Sequence, residues 1–75
     1  MSAETQSVEA LLEEMISSQR ERLRSLAMRI APHLTEDDLL QPHDHREIRN
    51  HPDFQFEDGI LAGYLAVRAA LRASR

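Results

Sequence analysis

The feature that most constrains this chain of 75 residues is a stripe of small residues near its C-terminus. Glycine and alanine recur there in steps of three and four, at Gly59, Ala62, Gly63, Ala66 and Ala70. That spacing places them on one face of a helix. A glycine inside a helix costs about 1 kcal/mol relative to alanine, so we expect close packing by another helix to offset it. The small-residue stripe therefore predicts a helix-packing interface and not a site of chemistry.

The size of the chain allows a single domain, residues 1–75. A chain this short buries only about 60% of its unfolded surface and is marginally stable alone unless it is cross-linked or oligomeric. There is no cysteine, which excludes disulfides, thiolate nucleophiles and cysteine zinc sites. All nine basic residues are arginine, which excludes Schiff-base chemistry and a P-loop lysine. We expect a protein that is not an enzyme and that carries no cofactor.

The first long element is predicted to be a helix over residues 7–31, after a disordered segment at residues 1–6. Ser7 is the expected N-cap, and Pro32 is expected to end the helix. Its apolar residues recur in steps of three and four: Val8, Leu11, Leu12, Met15, Ile16, Leu23, Leu26, Ala27 and Ile30. Gln19 interrupts this apolar face. Its amide is expected either to be exposed at a packing edge or to fix the register of a partner helix.

Residues 32–56 are predicted to form a folded connection with short helical turns. The run from Thr35 to Asp38 resembles a capping box, and the run from Asp44 to Glu47 repeats the pattern. Pro52 is expected to stop the second short helix. The connection then leads into a helix predicted over residues 57–73.

The helix over residues 57–73 is apolar over more than half of its circumference. Ile60, Tyr64, Val67 and Leu71 form a line in steps of four, three and four, with the small-residue stripe beside them. One partner helix cannot cover so wide a surface. The sequence therefore predicts an all-α fold, an antiparallel helical hairpin with a short-helix connection that dimerises into a four-helix bundle.

One histidine cluster has the composition of a metal site. His43, Glu47 and His51 are spaced four apart and would share one face if residues 43–51 formed a continuous helix. Two imidazoles and a carboxylate suit a divalent transition metal. Pro42 and the predicted Asp44 cap place His43 just before the helix, however, and the competing interpretation is a set of exposed turn histidines beside capping acids.

The arginines of the first helix are candidates for phosphate binding. They are Arg20, Arg22, Arg24 and Arg29. The net charge of −4 and the presence of only three aromatic residues disfavour a nucleic-acid interface. Ion pairing within the hairpin is the better explanation of the charges, with Arg68, Arg72 and Arg75 near Glu9, Glu13 and Glu14. Either a hydrogen bond between Glu57 and an arginine or one between Tyr64 and the backbone is expected to tie the connection to the helices.

These observations predict a small non-enzymatic interaction or regulatory module that forms a homodimer. Residues 35–58, which are acidic, are the expected surface for any other protein partner. The alternatives are a divalent-metal-binding protein that uses the histidine cluster and a nucleic-acid accessory protein that uses residues 20–29. The first seven residues are polar, and the longest apolar run is far shorter than the roughly 20 residues of a membrane helix. We therefore expect a cytoplasmic protein.

Overall fold

The computed structural model describes residues 3–74, which form two long antiparallel helices joined by short helical turns. Helix α1 covers Ala3–Ile30, helix α2 covers Arg46–Arg49 and helix α3 covers Pro52–Ala73. Two 3-10 turns, Asp38–Leu40 and Pro42–Asp44, lie between α1 and α2. The hairpin measures 46 × 18 × 17 Å. The predicted all-α helical hairpin is confirmed.

The ends of the two long helices differ in part from the expectation. Helix α1 already includes residues 3–6, so it begins before Ser7, and it ends at Ile30 ahead of Pro32 as expected. The expected disordered segment otherwise falls on residues 1 and 2, which lie outside the described residues. Helix α3 begins at Pro52 and not at residue 57. The reason is that Pro52 suits the first helical position, while the His51 ring accepts a hydrogen bond from the Asp53 N–H as an N-cap.

The two capping patterns of the connection have different outcomes. Thr35 and Asp38 form the expected reciprocal pair: the Asp38 carboxylate accepts from the Thr35 N–H at 3.0 Å, and the Thr35 hydroxyl accepts from the Asp38 N–H at 3.3 Å. The second pattern is not formed. Helix α2 begins after His45, without a side-chain cap hydrogen bond, and Glu47 instead lies 3.5 Å from His33.

The hydrophobic core lies at one end of the hairpin, where residues 31–51 cross between the long helices. Its buried members come from α1, the connection, α2 and α3: Leu23, Ala27, Ala31, Leu39, Ile48 and Phe54. We call residues 19–61 the closed half, and residues 3–18 together with 62–74 the open half. Among the described residues, the buried side chains of the open half are Leu12 and Ile16. The core therefore forms where a third layer covers the helix pair.

Candidate interaction surfaces

Contacts between α1 and α3 fix the register of the hairpin. Arg68 donates to the Glu13 carboxylate at 3.2 Å, and Arg72 lies 3.8 Å from the same carboxylate. The expected ion pairing between the end of α3 and the start of α1 is thus confirmed for Glu13, whereas Arg75 lies outside the described residues. Nearer the connection, Gln19 reaches Glu57. Because these side chains are long, the pairs set residue 13 of α1 opposite the stretch 63–72 of α3.

Gln19 and Glu57 form a polar contact at the boundary between the two halves. The Gln19 amide is buried, with 6% of its surface exposed, and it donates to the Glu57 backbone carbonyl at 2.8 Å and to the Glu57 carboxylate at 2.6 Å. Arg22 lies 3.8 Å from the other carboxylate oxygen, which makes an ion pair and not the expected hydrogen bond between Glu57 and an arginine. Gln19 is therefore not exposed at an edge. Its partner is the second helix of the same chain, and because a buried amide is costly without partners, the pair favours this register.

One side of the open half carries large apolar side chains that no element of the chain covers. On α1, Val8 is 51% exposed, Leu11 58% and Met15 38%, and on α3 Val67 is 51% exposed. The three α1 residues precede Arg22 at helical spacing, so they lie on the same side of α1 as Arg22. Val67 follows Glu57 at helical spacing and lies on the same side of α3 as Glu57. Since Arg22 and Glu57 lie together, both sets face the same side of the hairpin. This surface reaches into the closed half at one residue, Ile60. We call it the apolar face: Val8, Leu11, Met15, Ile60, Tyr64, Val67 and Leu71.

The small-residue stripe lies on a different surface, the side of α3 that points away from α1. All five of its residues are exposed. Apart from its sequence neighbours and the backbone of its own helix turn, a methyl group added at Gly59 or at Gly63 would meet no described atom within 4 Å. Within the chain, therefore, the stripe packs against no helix. Its packing against a second chain stays a prediction.

The histidine cluster is divided among separate contacts. His43 lies 2.9 Å from the Asp58 carboxylate, Glu47 faces His33, and His51 caps α3. The continuous helix that would align them does not form, because the connection bends between Pro42–Asp44 and Arg46–Arg49. In the part of the chain that the structure describes, no three His, Cys, Asp or Glu side chains are grouped so as to hold a metal ion.

The arginines of α1 are spread over two sides of the hairpin. Arg22 lies beside Glu57, while Arg24 pairs with Glu36 and lies 4.0 Å from Glu21. Acids of the same chain thus approach two of the four candidate phosphate ligands. This arrangement weakens the case for a continuous basic surface.

The larger cavity, of about 650 Å³, lies on the side opposite the apolar face, between α1, the connection and α3. Leu23, Leu39 and Phe54 contribute to its apolar wall. At its edge the His43 ring packs edge-on against Phe54, at 5.4 Å between ring centroids, and contacts Asp58. The His43–Asp58 pair does not follow from the sequence, because the two residues belong to different elements. The only available signal was the four-residue spacing of Phe54 and Asp58, which puts both on one side of α3.

The comparisons with known proteins give no relative. No family model matches the chain, and neither a curated protein nor a solved structure matches it significantly. Among the described residues, no helix combines the length and the apolar character needed to cross a membrane.

Proposed function

We propose that this protein is a non-enzymatic helical interaction module that works as a homodimer, in which two hairpins join through their apolar faces into a four-helix bundle. The observation that carries the proposal is the apolar face itself. Four of its side chains are between 38% and 58% exposed, and they lie together on one side of the open half. A large contiguous apolar patch on a small protein marks an interaction site.

The fold explains why a second copy is the expected partner. A layer of two helices encloses no core, so each helix needs a further surface to cover its apolar side. In the closed half the connection supplies that surface. In the open half no described element of the chain covers the apolar face. A second hairpin can cover it, because it presents apolar side chains with the same helical spacing. Full burial of a Val, Leu or Met side chain contributes roughly 1.5–3 kcal/mol, so even partial further burial of these residues favours association.

The residues that line the larger cavity favour a binding role over catalysis. Its lining includes His43 and Asp58, which contact each other, but it contains no hydroxyl, thiol or amine side chain. A nucleophile of the serine, cysteine or lysine type is therefore not present beside the histidine, and the other charged groups of the lining are the carboxylates Glu36 and Asp37 and the arginines Arg20 and Arg24.

Sedimentation equilibrium at micromolar concentration tests the dimer. We expect about twice the chain mass of 8.6 kDa. Leu11→Glu and Val67→Glu each place a charge in the apolar face and should shift the protein to monomer, because burying an unpaired carboxylate is costly. Their helix content by circular dichroism should stay near that of the wild type, since both side chains are about half exposed in the single chain.

Ala66→Glu is the matched control, because Ala66 lies on α3 in the small-residue stripe and is exposed. It should leave the dimer intact. If Ala66→Glu gives monomer while Leu11→Glu stays dimeric, the stripe and not the apolar face is the interface. A wild-type chain that sediments as a monomer at every concentration would contradict the proposal.

A further inference from the structure

We infer that the two hairpins of the dimer pair antiparallel, with α1 against α1 of the partner subunit, so that Glu4 of one chain meets Arg22 of the partner subunit. The inference rests on the proposed function and specifies the geometry of that same interface. The two-fold axis crosses the hairpin at the height of residue 13, and the two connections lie at opposite ends of the bundle.

The uncovered side of α1 carries a regular pattern. Six residues follow one another in steps of four, three, four, three and four, the spacing of a helix-packing seam: Glu4, Val8, Leu11, Met15, Ser18 and Arg22. A two-fold rotation about an axis level with residue 13 brings Leu11 against Met15 of the partner subunit and Val8 against Ser18 of the partner subunit. The same rotation brings Glu4 against Arg22 of the partner subunit. Arg22 is 66% exposed at its side chain and can reach a second acid.

Helix α3 carries a pattern with the same symmetry. Ile60, Tyr64, Val67 and Leu71 follow in steps of four, three and four, with their midpoint between residues 65 and 66. A two-fold rotation about that midpoint brings Ile60 against Leu71 of the partner subunit and Tyr64 against Val67 of the partner subunit, so apolar side chains meet one another. The contacts between the two helices set residue 13 of α1 opposite residues 63–72 of α3, a range that contains this midpoint. One two-fold axis can therefore pass through the midpoints of both patterns, as an isologous interface requires.

Charge is unevenly distributed along the hairpin. The closed half, residues 19–61, holds nine acids and six arginines, which leaves a charge of −3 with histidine neutral (6 − 9), and eight of these acids lie in residues 31–58. A dimer with its axis along the helices would set two such segments side by side and oppose association. The antiparallel dimer separates them by nearly the 46 Å length of the hairpin, several times the Debye length of about 8 Å at physiological salt. The charges thus favour the antiparallel arrangement.

Spin labels at the connection measure the orientation directly. The chain has no cysteine, so Asn50→Cys gives one label per chain at an exposed position next to α3. Asn50 lies about 16 residues of helix from the two-fold axis, which at 1.5 Å per residue predicts about 50 Å between the two labels of an antiparallel dimer. In the alternative dimer, both connections lie at the same end of the bundle. Because packed helices are 8–10 Å apart, that dimer predicts a distance below about 30 Å between the two labels.

Charge reversal tests the contact between Glu4 and Arg22. We expect Glu4→Arg and Arg22→Glu each to weaken the dimer about five- to tenfold in Kd at low salt, and the double variant to return within about threefold of the wild type. Arg22→Glu also disturbs the contact with Glu57 in its own chain. Because the double variant keeps that disturbance, recovery reports on the contact between chains. Arg20→Glu, on the other side of α1, is the control and should change Kd less than twofold.

The outcomes separate the two proposals. A monomeric wild type overturns the proposed function and this inference together. A stable dimer with a short label distance, or one whose double variant is no tighter than the single variants, overturns the antiparallel geometry alone. A long label distance together with recovery in the double variant supports it.

Discussion

The closed and open halves of the hairpin use the same two helices but bury their side chains to different extents. In the closed half Ala31, Ile48 and Phe54 are at most 1% exposed. In the open half Leu12 and Ile16 face the other helix and are buried, whereas Leu11 and Val67 lie on the side of the helix pair and are more than half exposed. The closed half gains its larger core from a third layer, since the connection packs against the helices only there, although Leu40 and Phe56 stay exposed. Apolar periodicity alone therefore does not decide burial, because a side chain that does not face the other helix needs a further surface to cover it.

Phe54→Ala should have the largest effect on the free energy of unfolding. Phe54 is among the largest fully buried side chains and contacts the core of the closed half. Truncation of a buried phenylalanine costs about 3–5 kcal/mol through lost burial and the cavity left behind. For a domain this small, such a loss approaches the total stability. Urea denaturation followed by circular dichroism measures it.

Val67→Ala is the matched variant in the open half. Its loss should be smaller than that of Phe54→Ala and should depend on protein concentration, because Val67 becomes buried only in the proposed dimer. When the protein is diluted below the dissociation constant of the dimer, the loss in free energy of unfolding relative to wild type should fall toward the roughly 0.5 kcal/mol of a surface substitution. Equal and concentration-independent losses for both variants would mean that the two halves do not differ in the way described.

The sequence was a good guide wherever an element is determined locally. Pro32 stops α1, and Thr35 with Asp38 forms the expected reciprocal cap, because both effects act within a few residues. The start of α3 was missed for a related reason. His51-Pro52 was interpreted as the end of one helix, although proline at a first helical position also begins the next.

The surfaces were harder to predict because they depend on the relative rotation of two helices. The small-residue stripe and the line from Ile60 to Leu71 both fit helical spacing, and periodicity alone does not say which faces α1. The structure places the stripe outward and brings His43 to Asp58 across fourteen intervening residues. Neither fact follows from local rules, because each depends on where the connection lies.

The Gln19–Glu57 pair joins α1 to α3 at the edge of the closed half, and breaking it should have an intermediate effect on the free energy of unfolding. Glu57→Ala removes a carboxylate that accepts from a buried amide at 2.6 Å, and hydrogen bonds to charged groups are worth about 1.5–3 kcal/mol. The Glu57 backbone carbonyl remains as a second acceptor, so we expect a loss at the lower end of that range, measured by urea denaturation.

Glu57→Gln is the control for this contact, because its amide oxygen still accepts a hydrogen bond without the charge. It should lose less stability than Glu57→Ala. If the two variants lose the same amount, the charge and not the hydrogen bond to Gln19 is the stabilising element, and the pair does not hold the register between the two helices.

The smallest expected effect belongs to Asp38, at the surface of the connection that distinguishes the closed half. Hydrogen bonds from the Thr35 backbone and hydroxyl hold the pKa of Asp38 below its ordinary value of 3.8. A carboxylate whose pKa is lowered by folding stabilises the folded state above the unfolded pKa, and this contribution is lost as the pH falls through the folded pKa. Carboxyl NMR titration should therefore give a midpoint below 3.8 for Asp38.

The variant Asp38→Asn tests this contribution. It should make the decline in the free energy of unfolding below about pH 4 shallower than in the wild type. The control is Asp37→Asn, at a neighbouring carboxylate that makes no cap hydrogen bond, and it should leave that part of the curve as in the wild type. An Asp38→Asn curve that superimposes on the wild-type curve would mean that this cap adds nothing to the connection, and that its apolar contacts alone hold it across the helices.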